Sequence, residues 1–316
     1  MIENLSFTLS NLVILLTLYG YGILIKNKRD IFFIFLSGYI IIGSIALIFH
    51  FFFSISNILS CFIIIIGISI IFFKKIVFKK EYFLFFFIII SISYILIGNS
   101  SHAIDANMYH HPYVAYLNSE KIIFGLANLH SRFGHISFLQ YVQSIFVNDH
   151  LSEYSISSIN IIFFITFILF CSKIIFNESE NKVLFLVTIF IASFTLIKFG
   201  RYREFGNDLI PFLVSSYLLI LIIQNKKLTI FKSKKIFYYF HFYIFFTLTH
   251  KISYVFSTLI LFSILRLKNL AHLFKIKIIF VPTALTVAWL LKNYIETSCI
   301  IYHLLFYNYW GLFPWN

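Results

Sequence analysis

Between Gly98 and Tyr154 the chain concentrates His102, Asp105, Asn107, Tyr109, His110, His111, Asn128, His130, Arg132, His135, Asp149 and His150. Carboxylate, imidazole, phenol and guanidinium groups at this density suit general acid–base catalysis and the binding of polar or anionic substrates. Six of the eleven histidines fall in this one stretch. A carboxylate desolvated beside apolar sequence gains basicity, and Asp105 is the acid placed to act as such a base. Tyr109, His110, His111, Asn128, His130 and Arg132 then supply candidate contacts to substrate. Each has a plainer role open to it. Asp105 could cap the helix that follows, worth about 1 kcal/mol. The histidines could be polar groups at a membrane interface. His102, Asp105, His110 and His130 could together hold a divalent metal, although no spacing among them matches a ligand motif. No GxxxxGK[ST], GxGxxG or GxSxG pattern occurs anywhere in the chain. Cys61, Cys171 and Cys299 lie too far apart to suggest a metal or disulfide framework.

The rest of the chain must position that stretch, and it is apolar. Hydrophobic residues make up 60%, mean hydropathy is +0.91 and only 12% of residues are charged, about half the charge of a soluble domain. The expectation is an all-α, polytopic integral membrane protein forming one transmembrane domain over 1–316. About 20 helical residues cross a hydrocarbon core. Ten windows qualify, at 8–25, 31–52, 56–73, 82–98, 157–176, 183–199, 209–224, 236–249, 252–265 and 277–291. The eighth and ninth are short and meet at His250 and Lys251, as in a broken or re-entrant hairpin. The start of the chain lacks the basic region of a signal peptide, so the first window reads as a retained helix.

A net charge of +13 does not point to nucleic acid, because the basic residues form short clusters between apolar runs. Eighteen of the 25 Lys and Arg residues fall in alternate connections, which places those connections in the cytoplasm and leaves the N-terminus and the Gly98–Tyr154 loop outside. Arg132, Lys198, Arg201, Arg203 and Lys251 are exceptions retained outside, so they are candidate anion ligands. Arg201, Arg203, Glu204 and Asp208 could equally neutralise one another within a turn. Inside the 99–155 loop, Pro112 disfavours αR geometry at His111, which predicts a turn followed by a short helix ending before Gly125. Ile136, Phe138, Leu139, Val142, Ile145 and Phe146 recur at helical spacing, which predicts a second amphipathic helix lying on the outer leaflet. The aromatic segment 293–316 is expected to form an interfacial tail.

Asp105-Ala-Asn-Met-Tyr109-His110-His111-Pro112 fits D-x-x-x-Y-H-x-P, and Gly125 to Gly134 reads GLANLHSRFG. This pairing resembles uncharacterised bacterial members of the GT-C polytopic membrane glycosyltransferases. The similarity continues through RYREFGND from Arg201, HKIS from His250, and Lys292–Asn293. The resemblance implies transfer of a sugar from a polyprenyl-phosphate donor to a lipid, glycan or protein acceptor outside a bacterial cytoplasmic membrane. Asp105 would be the general base towards the acceptor hydroxyl. Arg201, Arg203 and Lys251 would hold the departing phosphate, and Tyr109, His110 and Asn128 would position sugar hydroxyls or a metal. No cofactor is required by this reading, with a divalent metal left open. The rivals are an O-antigen-type polymerase and a flippase or transporter for lipid-linked glycans.

Overall fold

The computed structural model describes residues 2–25, 30–74, 86–92, 106–135, 137–147, 151, 155–177, 180–202, 207–224, 235–250, 254 and 276–300. The fold is all-α, and among the described residues there is no strand. In chain order the helices are α1 (Ile2–Gly22), α2 (Ile31–His50), α3 (Asn57–Phe73), α4 (His111–Ser119), α5 (Phe138–Phe146), α6 (Ser155–Asn177), α7 (Lys182–Tyr202), α8 (Leu209–Gln224), α9 (Lys235–His250) and α10 (Ile276–Thr297). Residues 86–92 are also helical. A π turn, Ala106–His110, leads into α4, and 3₁₀ turns cover Leu126–Asn128 and Ser131–His135. Helix is therefore described in every apolar window except 252–265, which lies outside the described residues apart from Tyr254; of 82–98 only 86–92 is described. Of the tail expected over 293–316, Asn293–Thr297 continue helix α10, and the residues beyond Ile300 lie outside the described ones. Among the described helices, Ile31–His50 and Ile156–Asn177 are long and apolar enough to cross a membrane. Ser6–Gly22, Asn57–Phe73 and Leu209–Gln224 are apolar but shorter.

The chain divides into two compact units. The first comprises Met1–Ile122, Leu139–Lys173 and Ala192–Gly206, and the second Ile123–Phe138, Ile174–Ile191 and Asn207–Asn316. The first unit is built on α1, which packs against both α2 and α3. Asp30 starts α2 by accepting a hydrogen bond from the Phe33 amide at 3.0 Å, satisfying one of the orphan donors of the first turn. Glycines set how closely these helices approach. A Cβ on Gly20 would collide with the Gly67 carbonyl of α3, and one on Gly38 with the Leu18 carbonyl of α1. Such contact lets backbones meet where larger residues would hold them apart. Tyr21 donates to the Ile63 carbonyl at 3.0 Å across the same seam. Phe32 of α2 meets Phe163 and Phe167 of α6 edge-on.

In the second unit α9 packs against α8 and α10. Ser215 Oγ and the Tyr243 hydroxyl share a 2.7 Å hydrogen bond between α8 and α9. Pro282 lies inside α10. Large apolar side chains face outward along several helices: Ile58, Phe62, Ile65 and Phe72 on α3, Val183, Leu186, Phe190 and Ile197 on α7, and Phe280, Val287 and Leu291 on α10. Each set recurs at helical spacing, so each helix carries an apolar stripe turned away from the protein.

Two local expectations change. The turn predicted at His111 is instead a π turn continuous with α4, with Pro112 in its first helical turn. Proline costs no hydrogen bond there, and the wider π turn relieves the clash an α-helical turn would force between its ring and the carbonyl four residues back. Helix α5, predicted to lie on a leaflet surface, is buried along its whole length, Gln140, Gln143 and Ser144 included. Protein rather than water satisfies its polar face: Gln143 Nε2 donates to the Ile156 carbonyl at 2.9 Å, and Ser144 Oγ to the Tyr141 carbonyl at 2.8 Å.

Because the glycine contacts are backbone to backbone, no side chain can yield. Gly20→Ala and Gly38→Ala are each expected to cost about 1–3 kcal/mol by overpacking. Thermal unfolding of the purified protein measures this, with outward-facing Ile65→Ala expected to leave the midpoint nearly unchanged.

Candidate functional site

The predicted site residues fall in both units. Tyr109, His110 and His111 belong to the first; Asn128, His130 and Arg132 belong to the second. Asp105, Arg203 and Lys251, and the side chain of Arg201, lie outside the described residues.

In the first unit the π turn gives way to α4 in such a direction that His110 is buried while Tyr109 and His111 are half-buried. The Tyr109 and His110 rings are in contact, their centroids 4.1 Å apart. Gln140 of α5 lies with its Nε2 3.0 Å from His110 Nδ1. An amide nitrogen can only donate, so His110 Nδ1 accepts and its proton resides on Nε2. Asn118 Nδ2 donates to the Val147 carbonyl at 2.6 Å, joining the end of α4 to the end of α5. His50, the last residue of α2, completes this layer. Its Nδ1 is 3.1 Å from the Tyr141 hydroxyl and its Nε2 is 3.0 Å from the Glu120 carbonyl.

The second unit gathers segments that lie far apart in sequence. Gly125 adopts a left-handed conformation, φ 69°, and its amide donates to the Ile295 carbonyl of α10 at 2.9 Å. That contact seats both 3₁₀ turns against α10. Asn128 and Arg132 are exposed and His130 is half-buried. His130 Nδ1 accepts from the Arg132 amide at 3.2 Å, and its ring packs on Phe133. Phe138 then touches Phe245, His250 and Trp289. His250 stacks on Phe246 and its Nδ1 donates to the Phe246 carbonyl at 2.7 Å.

Beside this cluster lies a buried ion pair. Lys292 Nζ is 2.9 Å from Glu296 Oε2, and the two side chains are 1% and 0% exposed. The ammonium also faces Asn293 Oδ1 at 3.4 Å and the Trp289 ring at 4.6 Å. Its three N–H donors thus have three partners. His250 and Lys292 lie just past the ends of the apolar windows 236–249 and 277–291. Among the described residues no group of three or more His, Cys, Asp or Glu side chains could hold a metal ion.

A sequence family defined as a domain of unknown function, DUF8201, matches residues 5–312. The chain belongs to that family. No curated protein and no solved structure matches it.

Several residues that organise the DUF8201 chain are absent from the sequence-derived site. His50 and Tyr141 are 91 positions apart, and no local pattern links them. Gln140 reads as the polar side of an amphipathic helix, which hides its pairing with His110. Lys292 and Glu296 did carry a signal, an opposite-charge pair at i,i+4 in otherwise apolar helix. Lys292 enters the sequence reading through the resemblance, as the pair Lys292–Asn293, and Glu296 does not enter it.

Removing one partner of a buried pair strands the other charge, whereas replacing both with apolar residues of similar size does not. Lys292→Met alone and Glu296→Gln alone are each expected to destabilise the DUF8201 chain by about 3–5 kcal/mol. The double variant Lys292→Met/Glu296→Leu is expected to recover most of that loss in the same thermal unfolding measurement.

Proposed function

We propose that this DUF8201 chain is a multi-pass bacterial cytoplasmic-membrane glycosyltransferase with a GT-C-like, roughly ten-span fold. It moves a sugar from a polyprenyl-phosphate donor to an extracytoplasmic acceptor, with the N-terminus and the 99–155 loop outside. The bilayer is the partner that suits the outward apolar stripes on α3, α7 and α10. Length alone licenses fewer spans, and the shorter apolar helices cross by local thinning of the bilayer or by association.

The observation that carries the enzymatic reading is the π turn that begins at Ala106, directly after Asp105. Single π turns recur at functional sites. This one presents Tyr109 and His110 from a backbone braced by α5, with His110 fixed by Gln140. A neutral, oriented imidazole beside a carboxylate-bearing segment suits recognition of sugar hydroxyls and activation of an acceptor hydroxyl. In this reading Asp105 takes the acceptor proton, the acceptor oxygen attacks the anomeric carbon, and the phosphate leaves with the bonding pair. Arg201, Arg203 and Lys251 are the cations assigned to that phosphate, and Asn128, His130 and Arg132 are assigned as further substrate contacts.

A lipid-linked glycan flippase is the reading from another class, and the buried Lys292–Glu296 pair is the feature that favours it, since ionisable groups in membrane helices mark transport paths. The pair closes on itself, however, with every ammonium donor engaged. That geometry suits an anchor better than a carrier.

The test is surface-glycan composition by mass spectrometry in cells with the native protein, with none, or with Asp105→Asn at matched membrane abundance. Loss of a sugar on deletion, copied by Asp105→Asn through a rate fall of about 10²- to 10⁴-fold, is the expected result. His110→Ala is expected to give a partial loss. A glycan changed by deletion yet unchanged by Asp105→Asn overturns the assigned mechanism and puts the polymerase and flippase readings ahead.

A further inference from the structure

His50 sits where three separate pieces of the first unit meet. It ends α2, it is 0% exposed, and both of its ring nitrogens are engaged. Its Nε2 lies 3.0 Å from the Glu120 carbonyl, which caps the end of α4. A carbonyl oxygen can only accept, so Nε2 carries the ring proton. In the neutral ring Nδ1 is then an acceptor, and the Tyr141 hydroxyl, 3.1 Å away, donates to it. The His50 carbonyl adds a third bond by accepting from the Ile122 amide at 3.2 Å. The rings of Tyr116 and Tyr141 stand edge-on to the imidazole with centroids 5.6 and 5.5 Å away. Close by, the Ile55 amide donates to the Leu117 carbonyl at 2.8 Å.

We infer that His50 is a positioning residue that fixes the segment from the π turn to Ile122 against the end of α2. One imidazole holds α4 through Glu120 and α5 through Tyr141, and α5 in turn holds His110 through Gln140. The chain of bonds runs from α2 to the side chains placed at the site. Its consequence for catalysis rests on the transferase reading; its consequence for the backbone does not.

The ring chemistry separates this role from mere filling of space. The essential element is an N–H donor aimed at the Glu120 carbonyl, and glutamine can present one from a similar position. His50→Gln should therefore keep the segment in place, and His50→Ala should release it. Tyr141→Phe, which deletes one oxygen from a buried ring, provides a milder variant if alanine prevents folding. It leaves Nδ1 without the hydroxyl donor and removes the link to α5.

Hydrogen exchange read by mass spectrometry on the full-length chain in nanodiscs measures the outcome. In His50→Ala, amides 106–122 are expected to exchange faster on the order of tenfold, with amides 10–48 unchanged. Tyr141→Phe should accelerate 138–146 by a smaller factor, and His50→Gln should stay within about twofold of the native protein. Nitrogen NMR of the histidine-labelled protein should show His50 as the Nε2–H tautomer. Unchanged exchange over 106–122 in His50→Ala, or an Nδ1–H tautomer, overturns the inference. The glycan assay run on the same variants separates the two readings. Faster exchange in cells whose glycan is indifferent even to deletion upholds the clamp and overturns the transferase. Faster exchange with glycan loss in His50→Ala, rescued by His50→Gln, upholds both.

Discussion

A buried polar atom left without a partner costs about 1–3 kcal/mol, and a buried charge costs more. In a chain of 60% hydrophobic residues that penalty decides where polar side chains can sit. Many of the buried ones take their complementary atom from their own helix or from another element. Serines and threonines within helices mostly bond back to their own backbone, as Thr17 does to Val13 and Thr188 to Leu184. The longer polar residues reach between elements instead. His50 to Glu120, Gln140 to His110 and Gln143 to Ile156 are all of this kind. The buried hydrogen bonds therefore do more than satisfy atoms: they specify which stretch of chain lies against which helix, something that apolar contact alone leaves loosely defined.

The helices were legible because their signal is local. An apolar run of suitable length reads as helix whatever it packs against, and α-helix is described within nine of the ten windows drawn from sequence. Side-chain environment is less local. The α5 stretch has the same periodicity whether its polar face meets headgroups or the inside of a protein, so Gln140 and Gln143 gave no hint that the helix is buried. His50 falls near the end of the 31–52 window, and the tyrosine that pairs with it lies 91 positions on, beyond α3, the helix at 86–92 and α4. Pro112 illustrates the opposite error. Its effect on His111 is a real local preference, but a proline in the first turn of a helix satisfies the same stereochemistry without breaking the chain direction.

The candidate site was legible in part for a related reason. Residues 105–135 stood out by chemical type, and the second unit brings its share of them, the GLANLHSRFG segment, onto α10 close to the Lys292 pair, with His250 nearby through Phe138. These are segments that sequence resemblance had grouped without any contact between them being visible. What could not be read was the division of labour. Asn128 and Arg132 are exposed, whereas Lys292, Glu296 and His250 are buried and paired. Type alone does not separate a residue that meets substrate from one that holds the scaffold.

That separation follows from counting donors. An ammonium offers three N–H groups, and those of Lys292 are directed at Glu296, Asn293 and the face of Trp289. Binding a phosphate there would require breaking a desolvated ion pair before anything was gained. Arg132 by contrast is exposed, and the planar fork of a guanidinium suits phosphate or carboxylate oxygens. Solvation therefore makes the buried cation the poorer anion ligand: Lys292 is committed to Glu296 within α10, beneath the turn that Gly125 fastens to Ile295.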